Sequence, residues 1–103
     1  MSGVDFKPLP EVLKYQEEDP ELFAHYRAAR SWAVADGALS EREKLLIFLG
    51  AATALAQSET IRTYVHLCAE HGATRAQILE ACRVGWLFSG GPGIIAAARG
   101  LHA

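Results

Sequence analysis

Ser40-Glu41-Arg42-Glu43-Lys44-Leu45-Leu46-Ile47-Phe48-Leu49-Gly50-Ala51-Ala52-Thr53-Ala54-Leu55-Ala56 is the stretch on which the fold of this chain turns. Ser40 with Glu43 three places on is a capping box: the hydroxyl accepts from a backbone N–H of the first turn, and the carboxylate reaches back to the cap. The residues that follow are apolar at nearly every position. A helix that is apolar all round is buried on all sides. In a chain of 103 residues the pattern therefore predicts the central helix of a bundle, running to about residue 57, or one that lies partly against another subunit.

Working outward, the same local chemistry marks further helices. Upstream, Asp19-Pro20-Glu21 supplies a cap acceptor, a proline at the first helical position and an acid in the first turn. Leu22, Tyr26, Ala29 and Ala33 then step at helical spacing, and Asp36-Gly37 ends that helix. A short helix is expected before it, from residue 9 to about 18, and residues 1–8 read as an arm. Downstream, a helix over residues 59–71 stops at Gly72, a good residue just past a C-terminus. Thr74 and Gln77 form a second capping box, opening a helix with Ile78, Leu79, Cys82, Trp86 and Phe88. Ser89-Gly90-Gly91-Pro92 breaks it, and Pro92 starts a last short helix ending near Gly100. No alternating stretch is long enough for a convincing strand. The expected class is all-α: a compact bundle of about five to six helices in a single domain over residues 1–103.

Composition narrows the possible roles. Ten Lys and Arg against twelve Asp and Glu leave a formal charge of −2, which gives no electrostatic reason to expect nucleic acid or an anionic membrane as a partner. The acidic patch at Glu17, Glu18, Asp19 and Glu21 reads as a helix end followed by the acidic first turn of the next. With Gly counted and Tyr left out, apolar residues make up roughly 56 % of the chain, above the 45–50 % usual for soluble domains. One small core does not easily hide that much, so a homo-oligomer with a buried subunit interface is expected. The eighteen alanines suit closely packed helices. The first residues lack the basic-then-apolar pattern of a signal peptide. The longest apolar run, residues 45–56, is too short to span a bilayer. A cytoplasmic location is expected, with Cys68 and Cys82 as reduced thiols.

The chemistry-bearing residues concentrate on the fourth helix. At about 100° per residue, Thr60, Ile61, Tyr64, Val65, Cys68 and His71 share one face, and Gln57 extends the line. The pattern of that face is apolar, yet it carries a hydroxyl, a phenol, a thiol and an imidazole. It is either core whose polar atoms find backbone partners or a pocket with convergent polar groups. The opposite face holds Glu59, Arg62, Thr63, His66 and Glu70, with spacings that suit solvent-exposed pairs. His66 and Glu70 alone do not set the three or four converging ligands of a zinc site, so no metal is expected. The cysteines are not in a Cys-x-x-Cys pair and read as inert core thiols. Gly90-Gly91-Pro92-Gly93 lacks the Lys-Ser/Thr of a P-loop and follows a helix rather than a strand; no cofactor is implied.

Gly72-Ala73-Thr74-Arg75-Ala76-Gln77-Ile78-Leu79-Glu80-Ala81 resembles the G-A-T-R-E-E-I-x-E-A segment of the carboxymuconolactone decarboxylase superfamily, which includes alkylhydroperoxidase D. Upstream, residues 39–47 resemble the start of that family's central helix, and Phe88-Ser89-Gly90-Gly91-Pro92 resembles its F-x-G-x-P break. The resemblance implies an all-helical fold and assembly into trimers or hexamers. It also implies where chemistry would sit. The peroxidase branch uses a glutamate, a Cys-x-x-Cys and a histidine; the matching positions here hold a residue near Leu45, then Gln57, Thr60 and Tyr64. All four groups are absent, so dithiol peroxidase activity is not expected. The decarboxylase branch reads roughly E-L-R-x-H, which Thr60-Ile61-Arg62-Thr63-Tyr64 matches at the arginine and alters at the histidine.

The expectation is a decarboxylase-like protein acting on or binding a small carboxylated or lactone-type compound. Tyr64 and Arg62 are its catalytic candidates. Gln57, Thr60, Cys68 and His71 are its substrate-binding candidates. The competing expectations are a non-catalytic oligomeric relative and a divergent hydroperoxide reductase using Cys68. Tyr64 and Arg62 project about 160° apart on one helix, so they cannot line one pocket from one subunit. Arg62 is expected to meet Glu59, His66, solvent or another chain.

Overall fold

The structure is a computed structural model that describes residues 10–102; the arm expected over residues 1–8 lies outside them. The described residues form six helices, α1 (Pro10–Glu18), α2 (Pro20–Val34), α3 (Glu41–Ala54), α4 (Ser58–Glu70), α5 (Arg75–Ser89) and α6 (Gly91–Leu101), and no strand. The caps do what their chemistry predicts. Asp19 accepts from the backbone N–H of Leu22 at 3.1 Å. Both capping boxes close, Ser40 with Glu43 and Thr74 with Gln77. None of the helices is long and apolar enough to cross a membrane.

The core gathers where α3 meets α4, α5 and α6. Leu45, Leu49, Ile61, Ile78 and Cys68 are its largest sealed apolar side chains. Thr53 is equally buried, and its hydroxyl is satisfied by donating to the Leu49 carbonyl at 2.9 Å. Packing is closest where α3 crosses α5. A Cβ on Gly85 would overlap the Gly50 carbonyl oxygen and lie 2.7 Å from Thr53 Cβ. Only hydrogen fits there. Gly100 makes the equivalent approach of α6 to α4, against Ile61.

One expectation is corrected. The central helix stops at Ala54 rather than near residue 57, because Ala56 turns into the left-handed region (φ 55°). Ala56 N–H donates to the Thr53 carbonyl at 3.0 Å and Gln57 N–H to the Ala52 carbonyl at 3.1 Å. This is a Schellman closure with alanine where glycine is usual. Within one chain α3 is central but not covered all round: Ile47 and Phe48 remain 58 % and 40 % exposed. The apolar stripe of α2 faces outward. Leu22 and Tyr26 are exposed, Val34 is the one buried residue of α2, and α1 has none. The α1–α2 hairpin is joined by an edge-on contact of Tyr15 with Phe23, and Tyr26 adds a second edge-on contact to Phe23 within α2. It is tied to the bundle by Lys44 Nζ donating to the Ala35 carbonyl and by Glu41 N–H donating to Asp36, both at 2.7 Å.

Two substitutions test this account by chemical denaturation. Gly85→Ala drives a methyl into backbone and should cost about 3 kcal/mol. Gly91→Ala, whose Cβ would meet nothing within 4 Å, should cost little. Ala56→Gly removes a left-handed alanine worth roughly 1–2 kcal/mol of strain and adds unfolded-chain entropy of about 0.5–1 kcal/mol. A net gain of up to about 1.5 kcal/mol is expected. A loss in Ala56→Gly, or equal midpoints for Gly85→Ala and Gly91→Ala, would contradict the geometry.

Candidate functional site

Tyr64 sits in the middle of α4 with its ring turned into the bundle and only 5 % of the residue exposed. Phe48 of α3 stacks on it almost face to face, with ring centroids 3.9 Å apart and planes 11° from parallel. From α2, Arg30 reaches across. Its Nη2 donates to the Tyr64 hydroxyl at 2.6 Å and its Nε at 3.2 Å, and its Cζ lies 5.5 Å from the ring centroid. Burial pushes the phenol above its ordinary pKa, and the adjacent Arg30 guanidinium pulls partly the other way. The group is therefore a neutral phenol at physiological pH. The two bonds from Arg30 use the oxygen's lone pairs, which leaves the phenolic proton as the one to donate.

The other sequence-derived candidates separate from this centre. Arg62 points to the opposite side of α4, and its Nη1 donates to Glu59 at 2.7 Å, as the helical spacing implied. Its Nε is buried without a partner among the described residues. Gln57 and Thr60 pair with each other at the start of α4, the Thr60 hydroxyl lying 3.2 Å from Gln57 Oε1. His71 is a structural clasp: Nδ1 lies 2.9 Å from the Leu67 carbonyl oxygen and Nε2 lies 3.1 Å from Glu41 Oε1, so the end of α4 is fastened to the start of α3. Cys68 is fully buried one turn beyond Tyr64. His66 and Glu70 are both exposed, and among the described residues no three His, Cys, Asp or Glu side chains converge as metal ligands.

Sequence reasoning missed Arg30 and Phe48, two residues that hold Tyr64 from other helices. Arg30 is 34 positions away, and no spacing links the two. The faint signal was a cation beside the alanines of the α2 stripe, on a helix whose partners could not be assigned.

The thiols yield a test by pH. Burial pushes Cys68 up to about 11 and raises Cys82 as well, the latter opposed by a hydrogen bond with Thr53 and by Arg75. In the unfolded chain Cys68 ionises near 9 and in the folded one near 11. The folded state thus keeps its proton longer. That stability is complete below pH 9 and is lost as pH rises through 11. The melting temperature should fall more steeply over that window in the wild type than in Cys68→Ala. Parallel pH profiles would count against a sealed Cys68.

Comparison with known proteins bears on the fold and the family. No curated protein of known sequence matches the chain. A solved structure does: the apo form of a carboxymuconolactone decarboxylase family protein from Legionella pneumophila, 30 % identical, with a TM-score of 0.82 over 90 % of this chain and 83 % of that one. The model of the carboxymuconolactone decarboxylase family itself matches residues 20–103, from the first turn of α2 onward and including Arg30, Phe48 and Tyr64. The chain belongs to the carboxymuconolactone decarboxylase family.

Proposed function

We propose that the protein works as a homo-oligomer that binds a small carboxylated or lactone-type compound at Tyr64 and Arg30, and acts on it as a decarboxylase-like lyase. The observation that carries this reading is the pairing of Arg30 with Tyr64, at the position where the resemblance puts the family's acid–base residue. A guanidinium carries a fixed positive charge, which favours a carboxylate bound beside it. The sequence reading gave that role to Arg62; Arg30 is the better placed arginine, since its guanidinium lies on the Tyr64 hydroxyl while Arg62 projects from the opposite side of α4.

A phenol held neutral is a proton donor rather than a base. In the proposed reaction the bond from carbon to the carboxylate breaks, carbon dioxide leaves, and the electron pair stays on carbon, delocalised into the lactone carbonyl. Tyr64 delivers its proton to that carbon. The phenolate formed is stabilised by Arg30 and takes a proton back from water. A cytoplasmic setting, in which both thiols stay reduced, belongs to the same proposal. The competing reading, an oligomeric domain without chemistry, draws on the covering of Tyr64 by Phe48. Peroxide reduction through Cys68 is disfavoured, because a buried thiol with a pKa of about 11 offers almost no thiolate at neutral pH.

A panel of small carboxylic acids and lactones tests the reading, with melting temperature and carbon dioxide release as readouts. At least one carboxylate should raise the melting temperature of the wild type and fail to do so in Arg30→Gln. Tyr64→Phe, which keeps the stack on Phe48, should lower turnover by about 10²–10⁴-fold while leaving binding largely intact. If no compound stabilises the protein and none is decarboxylated, the non-catalytic reading stands.

A further inference from the structure

Tyr64 is 5 % exposed, so no ligand settles on its ring until a group covering it moves. Two covers come from other helices: the Phe48 ring on one face and the Arg30 guanidinium on the oxygen. They differ in what moving them costs. Drawing Arg30 back breaks two hydrogen bonds and takes the cation away from the phenol. The Phe48 ring lies on Tyr64 by stacking, with no hydrogen bond to break. It is already 40 % exposed, and it hangs from a stretch of α3 pinned by Leu45 and Leu49, both fully sealed. A turn about χ1 carries the ring toward water while the backbone of α3 stays in place.

We propose that Phe48 is a gate, and that the place its ring occupies is the seat of a flat, conjugated ring bearing a carboxylate. The centroids of Phe48 and Tyr64 are 3.9 Å apart and their planes 11° from parallel. When Phe48 swings out it leaves a slot one aromatic ring thick, floored by the Tyr64 face. A flat ring entering that slot restores the stack that the gate gave up, so the exchange conserves the contact. A saturated ring is puckered and meets the floor only through its axial hydrogens. Charge then orients the ligand. Arg30 lies at the hydroxyl end of the floor, with Nη2 2.6 Å from the oxygen and Cζ 5.5 Å from the ring centroid. A carboxylate pointing the same way as the hydroxyl therefore comes to rest beside a fixed cation. Selection by Phe48 rests on Tyr64 and Arg30 being the ligand site proposed above; the gate decides which carboxylates enter it.

Three probes separate shape from charge: benzoate, which is flat and anionic; cyclohexanecarboxylate, anionic but puckered; and benzamide, flat but neutral. Affinities are read by titration of amide chemical shifts, with circular dichroism as the check on folding. The wild type should bind benzoate roughly three- to tenfold tighter than cyclohexanecarboxylate. Phe48→Ala should bind benzoate at least about tenfold tighter than the wild type, because an open state populated to ~10 % or less no longer has to be selected. Phe48→Leu, which keeps bulk but cannot stack as a flat ring, should shift the affinity in the same direction and serves if the alanine variant does not fold. Arg30→Gln should bring benzoate down to the affinity of benzamide. Equal affinity of the wild type for the two acids overturns the slot and leaves a carboxylate site at Arg30 standing. A folded Phe48→Ala or Phe48→Leu that binds benzoate no better than the wild type overturns the gate. Benzamide binding as tightly as benzoate overturns the role of charge, and the proposed carboxylate site with it. Binding of none of the three to the wild type or the Phe48 variants overturns both proposals.

Discussion

The crossing of α3 over α5 at Gly50 and Gly85 governs much of this molecule. Because no side chain separates the two backbones there, the helices sit closer than ordinary ridges and grooves permit. Two consequences follow. On the inner side, Leu45 and Leu49 are pressed against Ile61 and Ile78, giving a sealed core from few residues. On the outer side, the residues that flank Gly50 along α3 have no bulk opposite them. Ile47, Val84 and Phe88 are left at the edge of a crease that a single chain does not cover. The same two glycines thus tighten the core and expose an apolar surface.

The site depends on a weaker element. Arg30 belongs to a hairpin of 9 and 15 residues in which Val34 is the only buried residue. Helices this short are marginal by themselves. What fixes the hairpin to the bundle is mostly polar: Arg30 on the Tyr64 hydroxyl, Lys44 on the Ala35 carbonyl, and Asp36 under the first turn of α3. The cation that sets the character of Tyr64 therefore rides on the least buried part of the described structure. The phenol and the aromatic ring covering it stand on the most buried part.

This division explains what was legible in the sequence. Helix starts were readable because Asp19, Ser40 and Thr74 act within three residues of themselves. The end of α3 was not, because Ala56 carries no mark of the left-handed turn it makes; alanine there looks like more helix. The α2 stripe gave the right period and no partner, since periodicity shows that a face is apolar without showing what covers it. On α4 the wheel correctly separated Tyr64 and Cys68 from Arg62, His66 and Glu70, as one helix fixes those relations internally. Arg30, Phe48 and Glu41 escaped because each reaches its partner across helices, a relation no local spacing encodes.

In the proposed reaction, a tyrosine at the position where the resemblance implies a histidine has a definite chemical meaning. An imidazole with a pKa near 6.5 can take up and release a proton at neutral pH, whereas a phenol near 10 can only hold one out. Burial drives Tyr64 further in that direction. Alone, a buried phenol would be inert, because the phenolate left after donation would be an uncompensated charge in the core. Arg30 supplies the compensation: its two donors already lie on the oxygen where that charge develops. Having donors in place before charge appears is the arrangement that lowers a barrier without reorganisation. A change that would abolish base chemistry at this position is thereby compatible with acid chemistry, and the arginine on α2 makes the difference.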